Sequence, residues 1–309
     1  HRVAALRICA AVRRRGCVGQ RVHGHLGFLQ RSFDLFGRFG AYSSLVPYVN
    51  NYYVQAVIMF MIMAGGLGFM VWVELAEYRK KRRLSLHAKV VLQFSVIFWV
   101  GGAVLLALLE WSNPRTMGGL SVPGKIMAAL FQSVSTRTAG MNTIDLAACS
   151  PISKLLMSVL QFIGAAPGST GGGVKVTTFA VLILTIRSVA QGRDDCVIGG
   201  HHIESKTVYR ALTIIVIGAV AAFGSAVVVY YNTAETVSVI DCIFESCSAF
   251  GTVGLSVGVT GQLNTGAKLL YMACMFMGRV GPVSLAISLT AKPDDNKRKV
   301  LPVGHINVG

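Results

Sequence analysis

The sequence predicts an all-α integral membrane protein built from tandem repeats, each with two long helices joined by a short re-entrant segment. Of its 309 residues, 53% are hydrophobic and only 14% are charged, whereas soluble proteins carry about 25% charged residues. The mean hydropathy is +0.59. In a soluble protein the formal net charge of +16 would suggest a nucleic-acid partner. In a chain this apolar we expect no nucleic acid, and the charge instead reports membrane orientation.

Two matched stretches of sequence define the repeat. FQSVS at 131–135 matches FESCS at 244–248, 113 residues further along the chain, and each is followed by a stretch containing Thr and Gly. A single copy could equally be a surface loop between two helices. Two copies, each between apolar segments, predict a unit of helix, pore helix, extended return and helix. Non-helical backbone survives at this depth only where it is buried in protein or lines water.

The basic residues predict the orientation of the chain in the membrane. They concentrate in three segments: Arg79, Lys80, Lys81, Arg82, Arg83 and Lys89; Arg187, Arg193, Lys206 and Arg210; and Lys292, Lys297, Arg298 and Lys299. The alternate loops, 111–123 and 232–235, contain a single basic residue, Arg115. Basic loops stay on the cytoplasmic side. Both re-entrant segments therefore enter from outside, as expected of a multi-pass protein of the plasma (inner) membrane.

The first 89 residues contain no complete repeat. Residues 1–31 have seven arginines and no acidic residue, and we expect them to be disordered or non-native. Residues 32–89 are interpreted as the remnant of an earlier repeat, with one transmembrane helix at 54–75 and a cytoplasmic loop. The small residues at 64–68 permit close helix contact in lipid.

Two complete repeats follow. The first occupies 90–206, with a pore helix at about 123–136, a return at 137–142 and a broken helix within 153–188. The second occupies 207–309, with a pore helix at about 236–250, a return at 251–256, a last span at 267–289 and a cytoplasmic tail.

The broken helix contains a loop at 164–175 with five glycines and one proline, residues that interrupt helices. A polar loop at this depth must line a cavity, so it is a natural gate. A phosphate-binding loop is the competing interpretation. It fails because Val174 separates Gly173 from Lys175 and Val176 stands where the motif needs a hydroxyl.

Arg279 lies in the middle of the last predicted span. A cation there is costly unless it has a partner, and we expect that partner among the carbonyls or hydroxyls of residues 164–173. Snorkelling to the cytoplasmic face is the alternative. Asp241 and Glu245 lie one turn apart on a pore helix and are expected to attract cations or cap the helix. No metal site and no catalytic constellation is predicted.

Four motifs in order carry a family resemblance: STRTAGMNT (135–143), FIGAAPGSTGGGVK (162–175), SAFGTVGLS (248–256) and GRVGP (278–282). They closely resemble the Ktr/Trk/HKT superfamily of potassium transporters, in particular its KtrB-like membrane subunit. The likeness runs from about residue 32 to 309 and matches the carboxy-terminal portion, about two and a half of four repeats. It implies a potassium-channel-like fold in which each repeat contributes one filter segment around a common pathway.

The resemblance also implies roles for particular residues. The ion filter is expected at Thr138, Ala139, Gly140, Thr252, Val253 and Gly254. The gate is expected at Gly164, Pro167, Gly168, Ser169, Thr170, Gly171, Gly172, Gly173, Lys175 and Arg279.

The family implies potassium as the transported ion, a homodimer in the lipid membrane, and a cytosolic ring of regulatory subunits that alone binds nucleotide. Sodium conduction stays open as an alternative. So does a truncated, non-transporting remnant, because Ser32 replaces the filter glycine of the second family repeat and the first repeat is absent. Neither selectivity nor ion coupling follows from two filter segments alone.

Overall fold

A computed structural model describes residues 44–192, 197–198, 201–233 and 236–281. The basic segment 1–31, the Ser32 motif, Arg193, the last eight residues of the predicted last span (282–289) and the predicted tail lie outside the described residues. The helices are α1 (Tyr52–Gly66), α2 (Phe69–Lys81), α3 (Leu86–Glu110), α4 (Val122–Ser135), α5 (Pro151–Phe162), α6 (Val176–Ala190), α7 (Ser205–Asn232), α8 (Val239–Phe250) and α9 (Thr265–Val280).

Polar caps fix where most of these helices begin. The Ser85 hydroxyl accepts from the Ala88 N–H at 3.1 Å at the start of α3, and the Asn264 amide oxygen accepts from the Ala267 N–H at 2.9 Å at the start of α9. Such caps satisfy backbone donors that have no partner inside the helix. The predicted pore helices, at about 123–136 and 236–250, begin and end within about three residues of the observed α4 and α8.

The single helix predicted at 54–75 is wrong. The chain bends by 98° between α1 and α2, at Leu67 and Gly68, where Gly68 has a φ of +86°. A side chain at Gly68 would bring its Cβ within 2.5 Å of the Pro167 carbonyl oxygen. The small residues at 64–68 therefore allow close approach of the backbone of residues 166–170, and not of a neighbouring helix as predicted.

Two described helices, α3 and α7, are long and apolar enough to cross a membrane alone, and α1 with α2 makes a third if the bent pair counts as one span. The predicted broken helix at 153–188 is two separate helices, α5 and α6, with non-helical backbone between them. The loop predicted to be cytoplasmic also holds a short antiparallel pair, β1 (Val197–Ile198) and β2 (His201–His202).

The repeat seen in the sequence is also a repeat of contacts. A hydrogen bond joins the end of α3 to the start of α5: the Glu110 carboxylate accepts from the Ser150 N–H at 2.8 Å. A similar hydrogen bond joins the end of α7 to the start of α9: the Asn232 amide oxygen accepts from the Asn264 N–H at 3.2 Å. The packing of the pore helices differs: α8 packs against both α7 and α9 of its repeat, whereas α4 packs against α3 of its repeat and against α1. The matched residues Phe131 and Phe244 are fully buried in both cases.

Candidate functional site

Two extended segments follow the pore helices, and we call them the first return segment (137–142) and the second return segment (251–256). Positive φ values occur at the same places in both: Thr138 (+72°) and Gly140 (+72°) in the first, and Thr252 (+52°) and Gly254 (+89°) in the second. A threonine with positive φ is uncommon. Its appearance twice at matched positions shows that the two segments share one backbone conformation.

The side chains between these positions face the protein. Ala139 is fully buried in a cluster with residues of α1 and α4, and Val253 is fully buried in a cluster with residues of α4 and α8. Gly254 is exposed and Gly140 is partly exposed. Each segment therefore anchors one side in the core and leaves a glycine accessible on the other.

A serine braces each return segment from its pore helix. The Ser135 hydroxyl accepts from the Met141 N–H at 2.9 Å and also donates to the Met141 carbonyl. The Ser248 hydroxyl donates to the Leu255 carbonyl at 2.7 Å and accepts from the Gly254 N–H at 3.2 Å. In the sequence these serines serve only as markers of the repeat, although their matched positions are a signal of a shared structural role.

Further from the pore helices, the two segments are braced differently. The Glu245 carboxylate is 4% exposed and accepts four hydrogen bonds at 2.5–3.2 Å, from the Ser256 and Thr260 hydroxyls and the Val257 and Val259 N–H groups. The matched residue Gln132 is fully buried, and its amide has no partner among the described residues. The Glu245 carboxylate thus has a structural role that the sequence did not predict, and its expected attraction for cations stays a prediction.

The first return segment is instead held by a neighbouring stretch of chain. The Leu45 N–H donates to the Asn142 carbonyl at 3.0 Å, and the Asn142 N–H donates to the Ser44 hydroxyl at 3.3 Å. Asp241, the other acid on α8, pairs with Lys154 of α5 at 2.7 Å, which ties the two repeats together.

The backbone between α5 and α6 forms the central loop (163–175), which contains nine of the ten predicted gate residues. Its ends cross closely: the Gly164 N–H donates to the Val174 carbonyl at 2.8 Å, and the Val174 N–H donates to the Phe162 carbonyl at 3.1 Å. A Cβ at Gly164 would lie 1.8 Å from the Gly172 carbonyl oxygen. Only glycine fits at this crossing, which we call the neck of the loop.

Two surrounding elements and one contact within the loop hold the central loop in place. The bend between α1 and α2 contributes two backbone hydrogen bonds, from Ala166 N–H to the Gly66 carbonyl at 3.0 Å and from Phe69 N–H to the Gly168 carbonyl at 3.1 Å. From α9, Gly278 accepts from the Gly173 N–H at 3.0 Å. The Lys175 ammonium at the start of α6 donates to the Gly171 carbonyl at 2.6 Å.

Arg279 contacts the loop directly, because its guanidinium donates to the Thr170 carbonyl. This is the kind of partner the sequence predicted for it. The cation is thus supported by a backbone carbonyl of the loop, and it joins α9 to the middle of the central loop.

The central loop also touches the second return segment. A Cβ at Gly172 would lie 2.3 Å from the Thr252 hydroxyl oxygen, and one at Gly173 would lie 3.3 Å from the Gly251 Cα. Beside this segment lies a cavity of about 340 Å³, lined by Glu245, Ser248, Ala249, Thr252, Gly254, Leu255, Ser256, Thr260, Tyr271 and Met275.

Comparison with known proteins identifies the family. The model of the family described as "TrkH: Cation transport protein" matches residues 37–299. The chain belongs to this family. It is 36% identical over 274 residues to "Ktr system potassium uptake protein B" of Vibrio alginolyticus, a match that covers 88% of this chain and 58% of that protein. It is 34% identical to "Potassium/sodium uptake protein NtpJ" of Enterococcus hirae, covering 87% of this chain and 59% of that protein.

A solved structure supports the same fold. The crystal structure of the potassium transporter TrkH from Vibrio parahaemolyticus matches with a TM-score of 0.66 at 19% identity, over 86% of this chain and 56% of that one. The predicted all-α membrane fold and the predicted superfamily are thereby confirmed, and the chain is a multi-pass protein of the plasma membrane. It spans less than three-fifths of the length of these two relatives, at 58% and 59%.

Proposed function

We propose that this chain forms part of a potassium-selective pathway through the membrane, with the two return segments as filter and the central loop as gate. One observation carries the proposal: two segments of the same unusual backbone conformation lie against the same central loop. Thr252 touches the loop at Gly172, and Arg137 touches it at Gly164.

The return segments have the chemistry of a cation filter. A potassium ion loses its hydration shell only if carbonyl oxygens replace the water. The fully buried Ala139 and Val253 fix each segment in the core, so the accessible side at Gly140 and Gly254 presents backbone without a side chain. In this proposal Thr138, Ala139, Gly140, Thr252, Val253 and Gly254 supply the carbonyls.

The central loop has the properties of a gate. It is polar and glycine-rich, and a few hydrogen bonds from the bend between α1 and α2, from α9 and from its own Lys175 hold it in place. Releasing Arg279 from Thr170 would free the middle of the loop without breaking a helix. The residues from Gly164 to Lys175, together with Arg279, are therefore proposed to close the pathway beneath the filter.

We also infer the surroundings of the protein from the family. The exposed basic residues at the end of α2, Arg79 to Arg83, are suited to contact a cytosolic regulatory subunit that binds nucleotide, while this chain binds none. The pairing of two copies in the membrane is part of the same proposal. No enzymatic activity is proposed, because the chemistry required is ion coordination and release.

The test is cation flux. The longest reading frame that contains this sequence would be reconstituted into proteoliposomes, and potassium and sodium uptake measured alone and in competition. The proposal expects potassium uptake with weak competition by sodium. Equal uptake of both ions would favour a sodium-conducting member, and no flux of either ion would contradict the proposal.

Deleting residues 168–173 tests the gate separately. The deletion removes the middle of the central loop, including the Thr170 carbonyl that Arg279 contacts. Potassium flux is expected to rise, and unchanged flux would show that the loop does not limit it.

A further inference from the structure

Arg137 is the first residue of the first return segment, and its side chain occupies an unusual position. It is only 4% exposed, and the described residues offer it no carboxylate partner. A buried cation without an acid is expensive. Placed directly before the proposed filter residue Thr138, it also repels the ions that the filter would bind, so its presence calls for a specific function.

The contacts of Arg137 point to the central loop. Its Nη2 donates to the Gly164 carbonyl at 2.7 Å, and its guanidinium lies 5.3 Å from the centre of the Phe98 ring. A charge-assisted hydrogen bond and a ring face are both favourable for a guanidinium. The Nε and Nη1 atoms have no partner among the described residues, so the Gly164 carbonyl is the principal polar contact.

Gly164 is the most constrained point of the loop. Its N–H closes the neck by donating to Val174, and the Gly172 carbonyl passes so close that no side chain fits. A bond to the carbonyl of Gly164 therefore holds the crossing itself. Arg279, by contrast, holds the middle of the loop at Thr170. The two arginines come from different repeats and donate hydrogen bonds to different carbonyls of the same loop.

We propose that Arg137 is a positioning residue that couples the first return segment to the neck of the central loop. This inference rests on the proposed function, and it assigns a mechanical link between filter and gate. Because the side chain that holds Gly164 belongs to the same backbone as Thr138, a shift of the neck moves the filter, and an altered filter loosens the neck. The second repeat has Gly251 at the matched position, so the arginine link belongs to the first repeat, whereas the second return segment meets the loop through Thr252.

The test uses the same flux assay on the full-length protein with four variants: Arg137→Gln, Arg137→Lys, deletion of 168–173, and Arg137→Gln combined with that deletion. Arg115→Gln is the matched control, since Arg115 is an exposed arginine of the same repeat. Basal potassium flux and the potassium-to-sodium uptake ratio are measured for each, and elution profiles in detergent report folding.

Arg137→Gln is expected to raise basal flux about tenfold, which corresponds to about 1.4 kcal/mol in the closed-to-open equilibrium, and to lower the uptake ratio. Arg137→Lys keeps the charge without the forked donor, and its flux is expected between wild type and Arg137→Gln. On the deletion background, Arg137→Gln should change flux less than twofold, because the neck no longer limits it. Arg115→Gln should match wild type.

The inference is overturned if Arg137→Gln leaves both the basal flux and the uptake ratio at wild-type values. It is overturned equally if Arg137→Gln raises flux by the same factor in the deletion variant as in wild type. It is also overturned if only the elution profile changes, as a purely structural role would predict. Should Arg137→Gln fail to fold, Arg137→Lys decides: at least threefold higher flux supports the link, and wild-type flux contradicts it. If wild type carries no cation flux, the proposed function itself is wrong.

Discussion

The two return segments have the same backbone conformation but different supports. The first is held by a neighbouring stretch at Ser44 and Leu45, and the second by the Glu245 carboxylate of its own pore helix. The nearest brace, a pore-helix serine, is common to both. The conformation itself is thus specified locally, whereas the second layer of support differs between the repeats and makes substitutions at matched positions unequal.

The largest effect on ion selectivity is expected where the two segments are alike. Gly140→Ser and Gly254→Ser each place a side chain at a φ of +72° or +89°, where side chains are strained by about 1–2 kcal/mol, and on the accessible side of the segment. Each should lower the potassium-to-sodium uptake ratio about tenfold in proteoliposomes. Retained selectivity in either variant would show that its segment is not part of the filter.

Substitutions at the matched positions 245 and 132 test whether the two return segments depend differently on their own pore helices. Glu245→Leu removes the acceptor of four hydrogen bonds and leaves two backbone N–H groups unpaired, which should cost about 2–4 kcal/mol. Gln132→Leu removes an amide that makes no hydrogen bond within the described chain and should be neutral or stabilising. Thermal unfolding in detergent measures both. Equal losses of stability would refute the difference between the repeats.

The ion pair between Lys154 and Asp241 joins α5 to α8, and therefore one repeat to the other. Both side chains are mostly buried, at 10% and 22% exposed, so removing one partner should cost about 1–3 kcal/mol because it leaves the other charge unpaired. Lys154→Met and Asp241→Asn should each lower the melting temperature, and the double variant should lose less than the sum. Additive losses would mean that the pair contributes no coupling.

The smallest effect is expected at the serine braces. Ser135→Ala and Ser248→Ala each remove two hydrogen bonds to the return segment while leaving its packing intact, at a cost of about 1–2 kcal/mol. The melting temperatures of the two variants should fall by similar amounts. A large difference between them would indicate that the local support is not equivalent after all.

Signals that are local in the sequence predicted much of the site. The matched FQSVS and FESCS stretches gave both pore helices, and the five glycines and proline at 164–175 gave the break between α5 and α6. The isolated charge of Arg279 led to its contact with a loop carbonyl, since few other partners are available to a cation at that depth.

Contacts between distant parts of the chain could not be predicted. Glycines at 65, 66 and 68 are equally compatible with helix packing and with a bend; the choice depends on Pro167, which approaches Gly68 from the central loop. The sequence indicates only that Arg137 belongs to a filter motif, because nothing local shows that its side chain reaches Gly164. The pairing of Lys154 with Asp241 joins residues 87 positions apart, and many other charge pairs would have matched the sequence as well.

The central claim is that the two return segments contribute carbonyls to one cation pathway. The most direct test is an anomalous diffraction map of the full-length protein crystallised in thallium(I), an electron-dense analogue of potassium. The account predicts anomalous density bounded by the carbonyls of residues 138–140 and 252–254 together. Density confined to one segment, or absent from both at a thallium concentration that supports flux, would contradict it.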